Sequence, residues 1–221
     1  MPMTDPTRMR EAMTETFPAE QLSYRLTTTS LSEDLVGAGE PSSFVFHFPF
    51  EVREGDMIVA RVHALAIRLA EAERVGFTAA EVFDSIDQEL HEFYCAIYDQ
   101  EGETFRGDLV DPTDLRDVLY IDSVKVIPSR RHKMVGLRAV ERIREMLGGG
   151  CALLALKALP IDPENPKYSE AIDREVFGHP FPTRGEAAKA KLRDYWSRLG
   201  FARVDDTNFL VFDMSEDRPE F

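Results

Sequence analysis

Two short apolar runs flanking one amphipathic segment constrain this chain more than any other feature. Val118-Leu-Tyr-Ile-Asp-Ser-Val-Lys-Val-Ile127 is rich in β-branched and aromatic residues and is stopped by Pro128, whose ring cannot donate to a strand ladder. Met134, Leu137, Val140, Ile143 and Leu147 then recur every three or four residues, the spacing of one helical face. A helix is predicted over 131–147, ended by Gly148. Cys151-Ala-Leu-Leu-Ala-Leu-Lys157 is apolar at consecutive positions, as a short strand covered on both faces is. The result is a strand, helix, strand unit, which directs the chain toward an α/β fold.

The flanking sequence supplies further elements. Phe44 to Phe50 alternates large apolar residues and Met57 to Ala70 is apolar and β-branched, which predicts a hairpin around Glu51 to Asp56. Thr78-Ala-Ala-Glu81 is a capping box, and Val82, Phe83, Ile86, Leu90, Phe93, Tyr94 and Ile97 follow at helical spacing, predicting one helix over 79–98. The acid-rich segment 99–117 is predicted to be a solvated connection. Thr183-Arg-Gly-Glu186 is a second capping box, opening a helix to about Leu199. Phe201 to Val204 and Phe209 to Phe212 predict a closing hairpin around Asp205 to Asn208. Five prolines (160, 163, 166, 180 and 182) mark 160–182 as a lid or a substrate-side insertion. These limits divide the chain into an N-terminal arm with a first loop or strand (1–40), a single domain (41–215) and a tail (216–221).

Composition narrows the function classes. Forty Asp and Glu against 26 Lys and Arg give a net charge of −14. Binding to a nucleic-acid backbone needs a cationic surface, so no nucleic acid is expected as a partner, and cationic substrates suit the chain better. No apolar run approaches the roughly 20 residues of a membrane span, so no membrane association is expected and a cytoplasmic location is. Cys95 and Cys151 form neither a disulfide framework nor a ligand spacing, and the five histidines show no H-x-x-x-H pattern, so no metal is expected. Cys151 reads as a buried strand thiol and not as a nucleophile. The charge is uneven. Residues 81–117 hold twelve acids against two Arg, whereas 125–145 holds seven Lys and Arg against two Glu.

That basic patch lies where a strand meets a helix. Unpaired backbone N–H groups and the helix dipole favour an anion at a helix start, and Arg130-Arg-His-Lys-Met-Val-Gly136 stands there. A solvated basic helix start is the alternative reading. The run has neither G-x-x-x-x-G-K-[ST] nor G-x-G-x-x-G. Gly148 to Gly150 follows a helix and precedes a strand, the wrong order for a phosphate loop, so it reads as a helix stop.

The order of these pieces resembles the GNAT superfamily of acyl-CoA-dependent N-acyltransferases. In that family a strand ending V-x-V-x-P leads into R/Q-x-x-G-x-G/A at a helix start, and a later helix ends in Y-x-x-x-G-F before the last hairpin. Here Val124-Lys-Val-Ile-Pro128, Arg131-His-Lys-Met-Val-Gly136 and Tyr195-Trp-Ser-Arg-Leu-Gly-Phe201 stand in those places, covering residues 118–213. The resemblance implies a central mixed, mostly antiparallel sheet, helices on both faces and a V-shaped split between strands 118–127 and 151–157. It implies that main-chain groups of Val124 and Val126 bind the pantetheine of acetyl-CoA, and that the amides of His132, Lys133, Met134, Val135, Gly136 and Leu137 hold its diphosphate, with Arg131 among the nearby cations that suit an anion. Two positions depart: Met134 replaces the first motif glycine, and Trp196 stands four residues before Gly200, with Tyr195 one step earlier.

The implied reaction is acetyl transfer to a primary amine in a direct ternary complex, with an amine-bearing small molecule or a protein lysine as acceptor. A base must deprotonate the ammonium and a donor must assist the departing thiolate. Asp122 is the candidate base, since strand alternation puts it on one face with Tyr120, Val124 and Val126. Tyr195 and Tyr120 are the candidate donors. A homodimer is an open possibility. The alternatives are a non-catalytic acyl-CoA-binding module and an acidic subunit that docks a basic partner through residues 81–117.

Overall fold

The computed structural model describes residues 22–27, 39–99, 101, 104–111, 113–160, 177 and 185–216. Its strands are β1 (Leu22–Leu26), β2 (Val45–Glu54), β3 (Met57–Ile67), β4 (Asp117–Val126), β5 (Cys151–Lys157), β6 (Ala202–Arg203) and β7 (Phe209–Asp213). Its α-helices are α1 (Leu69–Arg74), α2 (Ala79–Asp84), α3 (Gln88–Ile97), α4 (Val135–Leu147) and α5 (Glu186–Ser197). The strands form one mixed sheet in the order β1-β2-β3-β4-β5-β7-β6. β4 and β5 run parallel, and the other neighbours are antiparallel. A parallel pair needs a crossover, and α4 provides it.

Two apolar layers cover the sheet. On one face, Leu137, Val140 and Ile143 of α4 and Trp196 of α5 pack on Leu119, Ile121, Leu154 and Leu156. On the other, Leu69 of α1, Phe83 of α2 and Leu90 and Phe93 of α3 pack on Ile67, Val118, Tyr120 and Leu153. Both central strands are thus apolar on both sides, which is why β5 reads as an unbroken apolar run. Each fully buried Leu, Ile or Phe contributes about 1.5–3 kcal/mol of transfer free energy, so these two layers dominate the stability of the fold.

The predicted elements stand with three corrections. The helix predicted over 79–98 is two helices. The Thr78 and Glu81 capping box opens α2 as read, but Asp87 is extended and its carboxylate accepts from the Leu90 amide, capping a second start. The strand predicted from Met57 to Ala70 ends at Ile67, and the helix formers Leu69-Ala-Glu-Ala-Glu-Arg74 make α1. Its first turn is held by Asp117, which accepts from the Ala70 amide at 3.1 Å and from Arg68 at 3.0 Å. α4 begins at Val135 and not at 131, because His132 (φ 65°) and Met134 (φ 56°) are left-handed. α5 is described from Glu186, after Gly185; Thr183, the capping residue read from the sequence, lies outside the described residues.

The connection before β4 is also pinned. Arg106 bonds Asp108 and Asp205 at once, and the Asp111 amide donates to the Asp213 carboxylate at 2.7 Å. Burial opposes ionisation of Asp213, but the amides of Asp111 and Ser215 outweigh it and hold the carboxyl below its usual range. Gly148 stops α4 as predicted, and its bare Cα avoids a clash with backbone: a Cβ there would lie 2.5 Å from the Arg144 carbonyl oxygen. No helix among the described residues is long and apolar enough to cross a membrane.

Candidate functional site

The site is built where β4 leaves β5. Their pairing runs to Ile121 opposite Leu156, and the next residue of β5, Lys157, pairs with Phe209 of β7. From Ser123 to Val126, β4 pairs with β3 alone among the described residues.

Asp122 marks that point with a β-bulge. Ala64 of β3 lies opposite Ile121 and His63 lies opposite Ser123, so Asp122 is an extra residue in β4. One extra residue shifts the alternation. Leu119 and Ile121 before the bulge and Val124 and Val126 after it all pack on the α4 side, whereas Val118 and Tyr120 pack on the α1–α3 side. The expectation that Tyr120, Asp122, Val124 and Val126 share a face is therefore corrected. The sequence shows no glycine or proline at the bulge, so alternation alone misplaces it.

On the α1–α3 side, the Asp122 carboxylate lies 3.1 Å from Nδ1 of His63. The other ring nitrogen of His63 is 3.3 Å from Nδ1 of His47, and the two rings stack with centroids 5.3 Å apart. The Tyr120 hydroxyl donates to Glu89 of α3 at 2.8 Å. Lys157 Nζ reaches the second oxygen of Glu89 at 3.2 Å and lies 3.5 Å from Glu92 and 5.0 Å from the centre of the Phe209 ring. His63, His47, Glu89 and Glu92 were not legible as site residues. Counting back from the Gly55–Asp56 turn in unbroken register would put His47 opposite Ala64; the register shift between Val52 and Arg53 moves it opposite Leu65, beside His63, so no local sequence signal joins the two.

On the α4 side, Tyr195 reaches the start of α4. Its hydroxyl accepts from the Leu137 amide at 3.1 Å and, by a further backbone bond, from Gly136. Burial pushes the hydroxyl up to about 12, and these two amides pull the other way. A Cβ on Gly136 would lie 2.8 Å from that hydroxyl and 3.5 Å from Val124, so the glycine permits a close approach of strand, helix and tyrosine. Trp196 points into the core against Phe201. One step of helix thus separates a buried core residue from the residue that faces the loop.

The loop between β4 and α4 differs from the sequence expectation in its donors. The amides of Gly136 and Leu137 are taken by Tyr195, and those of Arg131 and Lys133 bond the preceding turn. Among the described residues, the amides of His132, Met134 and Val135 meet no protein acceptor. The Arg131 side chain is turned from the loop as well. Its Nε donates to the Val126 carbonyl at 3.1 Å and its Nη2 to the Phe177 carbonyl at 2.7 Å, which occupies one of the carbonyls expected to meet pantetheine. Burial lowers the Arg131 pKa from its ordinary value. Phe177 also lies beneath Arg61, 5.6 Å from its ring centre, and is the one described residue of 161–184.

Cys151 is buried at the start of β5, and burial raises its thiol to about 11, which makes it a poor nucleophile. Among the described residues, no group of three or more His, Cys, Asp or Glu is placed to hold a metal ion. No known protein family matches this chain by sequence, and no curated protein does.

Proposed function

We propose that this chain is an acyl-CoA-dependent N-acyltransferase that moves an acetyl group from acetyl-CoA to a primary amine. The observation that carries the reading is the parting of β4 from β5 after Ile121 beside a left-handed turn into α4. A strand edge released from its neighbour offers main-chain partners to the amide groups of an extended pantetheine, in the V-shaped split that the GNAT resemblance implies. The turn at 132–135 offers amides at the positive end of a helix to the diphosphate. The strand order and the basic segment 125–145 support the same arrangement.

The two faces of the sheet then divide the chemistry. The acceptor amine enters on the α1–α3 side, where Glu89, Glu92 and Asp122 favour a cation, and loses its proton toward Asp122. Of the two candidate donors, Tyr195 is favoured over Tyr120. The Tyr120 proton is committed to Glu89, whereas the Tyr195 oxygen accepts two amide protons and keeps its own for a third partner. A hydroxyl held near 12 does not surrender its proton to a thiolate of ordinary pKa, about 8.5. Tyr195 therefore stabilises the leaving thiolate as a hydrogen-bond donor. The acceptor is an amine-bearing small molecule or a protein lysine, in a cytoplasmic setting.

Calorimetric titration with acetyl-CoA, followed by thiol release over a panel of a polyamine, an aminoglycoside and a lysine peptide, tests this. Binding and release are expected, with binding weakened in His132→Glu, which sets a carboxylate against the diphosphate. One observation favours a second reading. Tyr195 fills two of the expected donors and Arg131 is spent on carbonyls, so a chain that binds no acetyl-CoA is better read as an acidic subunit docking a basic partner through 81–117.

A further inference from the structure

The geometry points to a proton-exit relay from Asp122 through His63 to His47. It rests on the acyltransferase reading and adds to it the path by which the amine's proton leaves the site. The three groups lie on adjacent strands, β4, β3 and β2, and two contacts of 3.1 and 3.3 Å join them in line. Their exposure rises along the line: the Asp122 side chain is 4% exposed, that of His63 is 32%, and His47 is exposed. A buried carboxylate that accepts a proton at each turnover must pass it to water before the next, and imidazoles at hydrogen-bond distance conduct protons near neutral pH.

The bulge makes the line possible. Without the extra residue at position 122, strand alternation would keep one regular face, and the side chain that meets His63 would follow from the unshifted register. The line is also bounded by charge. The Arg61 and Glu51 pair lies further along β3 and β2, at 3.5 Å, and the Tyr120, Glu89 and Lys157 group lies on the opposite side along β4. His63 thus faces His47 from β2 and Asp122 from β4, with the acids of α3 and the cation of β5 beyond them.

The transfer balances. The ammonium N–H bond breaks as a carboxyl O–H forms on Asp122, and the amine lone pair is released for attack. The carboxyl proton moves to Nδ1 of His63 as the Nε2 proton of His63 moves to Nδ1 of His47, and His47 loses its Nε2 proton to water. One proton enters and one leaves, and exchange of ring tautomers resets the pair.

The test uses the full chain with acetyl-CoA and the amine panel, and compares wild type with His63→Gln, His63→Gly and His47→Gln. Gln at 63 retains a hydrogen bond to Asp122 and cannot relay. The expected result is unchanged acetyl-CoA affinity, turnover reduced at least tenfold in His63→Gln, and recovery of His63→Gly on adding imidazole. His47→Gln is expected to make the rate depend on buffer concentration. Turnover in His63→Gln equal to wild type, or no imidazole effect, overturns the relay and leaves the acyltransferase reading standing. Absence of acetyl-CoA binding or of turnover in wild type overturns both.

Discussion

The hydroxyl of Tyr195 caps the Leu137 amide at 3.1 Å, joining the last helix of the chain to the first turn of α4. A side-chain oxygen on an early helical amide does the work of an N-cap, here from a residue 58 positions away. Removing the oxygen in Tyr195→Phe is expected to cost about 1 kcal/mol, read as a lower thermal midpoint. The same change frees two amides beside the loop, so acetyl-CoA affinity is expected to hold while the rate of thiol release falls about a hundredfold. Weakened affinity with an unchanged rate would remove Tyr195 from the chemistry.

Arg131 separates a strut from an anion ligand. It bonds the carbonyls of Val126 and Phe177. Arg131→Ala is expected to lower stability by roughly 1.5–3 kcal/mol in denaturant titration, since hydrogen bonds from a charged group are lost. Acetyl-CoA affinity is expected to change less than threefold. A tenfold loss of affinity in a variant of native stability would return Arg131 to the diphosphate.

His132 adopts φ 65° on the surface of the loop. A side chain in that region costs roughly 1–2 kcal/mol, offset in part by the greater freedom glycine has when unfolded. His132→Gly is therefore expected to raise the unfolding free energy by up to about 1 kcal/mol, and His132→Val to lower it. Equal stability of the two variants would mean the loop does not hold this conformation in solution.

Stability should fall in alkali in a defined window. Burial raises Tyr195 from 10.0 to about 12 and Cys151 from 9.0 to about 11, so the folded state holds protons that the unfolded chain releases. Their contribution is complete below pH 9, declines first through Cys151 between 9 and 11, and then through Tyr195 between 10 and 12. The Tyr195 part is on the order of 2 kcal/mol. Unfolding in urea from pH 8 to 12 is expected to show that decline, with a shallower slope above pH 10 in Tyr195→Phe. A flat profile would contradict the burial of both groups.

Much of the fold was legible because it is written in local patterns. The unbroken apolar run of β5, the Thr78 to Glu81 capping box and the helical stripe of α4 each report burial or a helix end through a few neighbouring residues. The break at Asp87 was missed because the apolar spacing continues across it, although an Asp that caps a new start was in plain sight.

The site was legible only in part. The glycine at 136 and the tyrosine at 195 could be picked out, but nothing local says that the hydroxyl of one meets the backbone of the other. Nor does any run of residues announce that β4 bulges at Asp122, because a bulge is a mismatch between two strands and exists only once they pair.

By itself, then, the amino-acid order determined the strand, helix, strand unit, the Thr78–Glu81 cap and the contrast between an acidic 81–117 and a basic 125–145, since propensity, periodicity and charge act over a few residues. Tertiary structure alone decided that Asp122 turns toward His63 and away from the face of Val124, and that Tyr195 reaches the loop while Trp196 fills the core. Those outcomes depend on the register between strands and the seating of helices on the sheet, where one residue of shift exchanges a buried side chain for a reactive one.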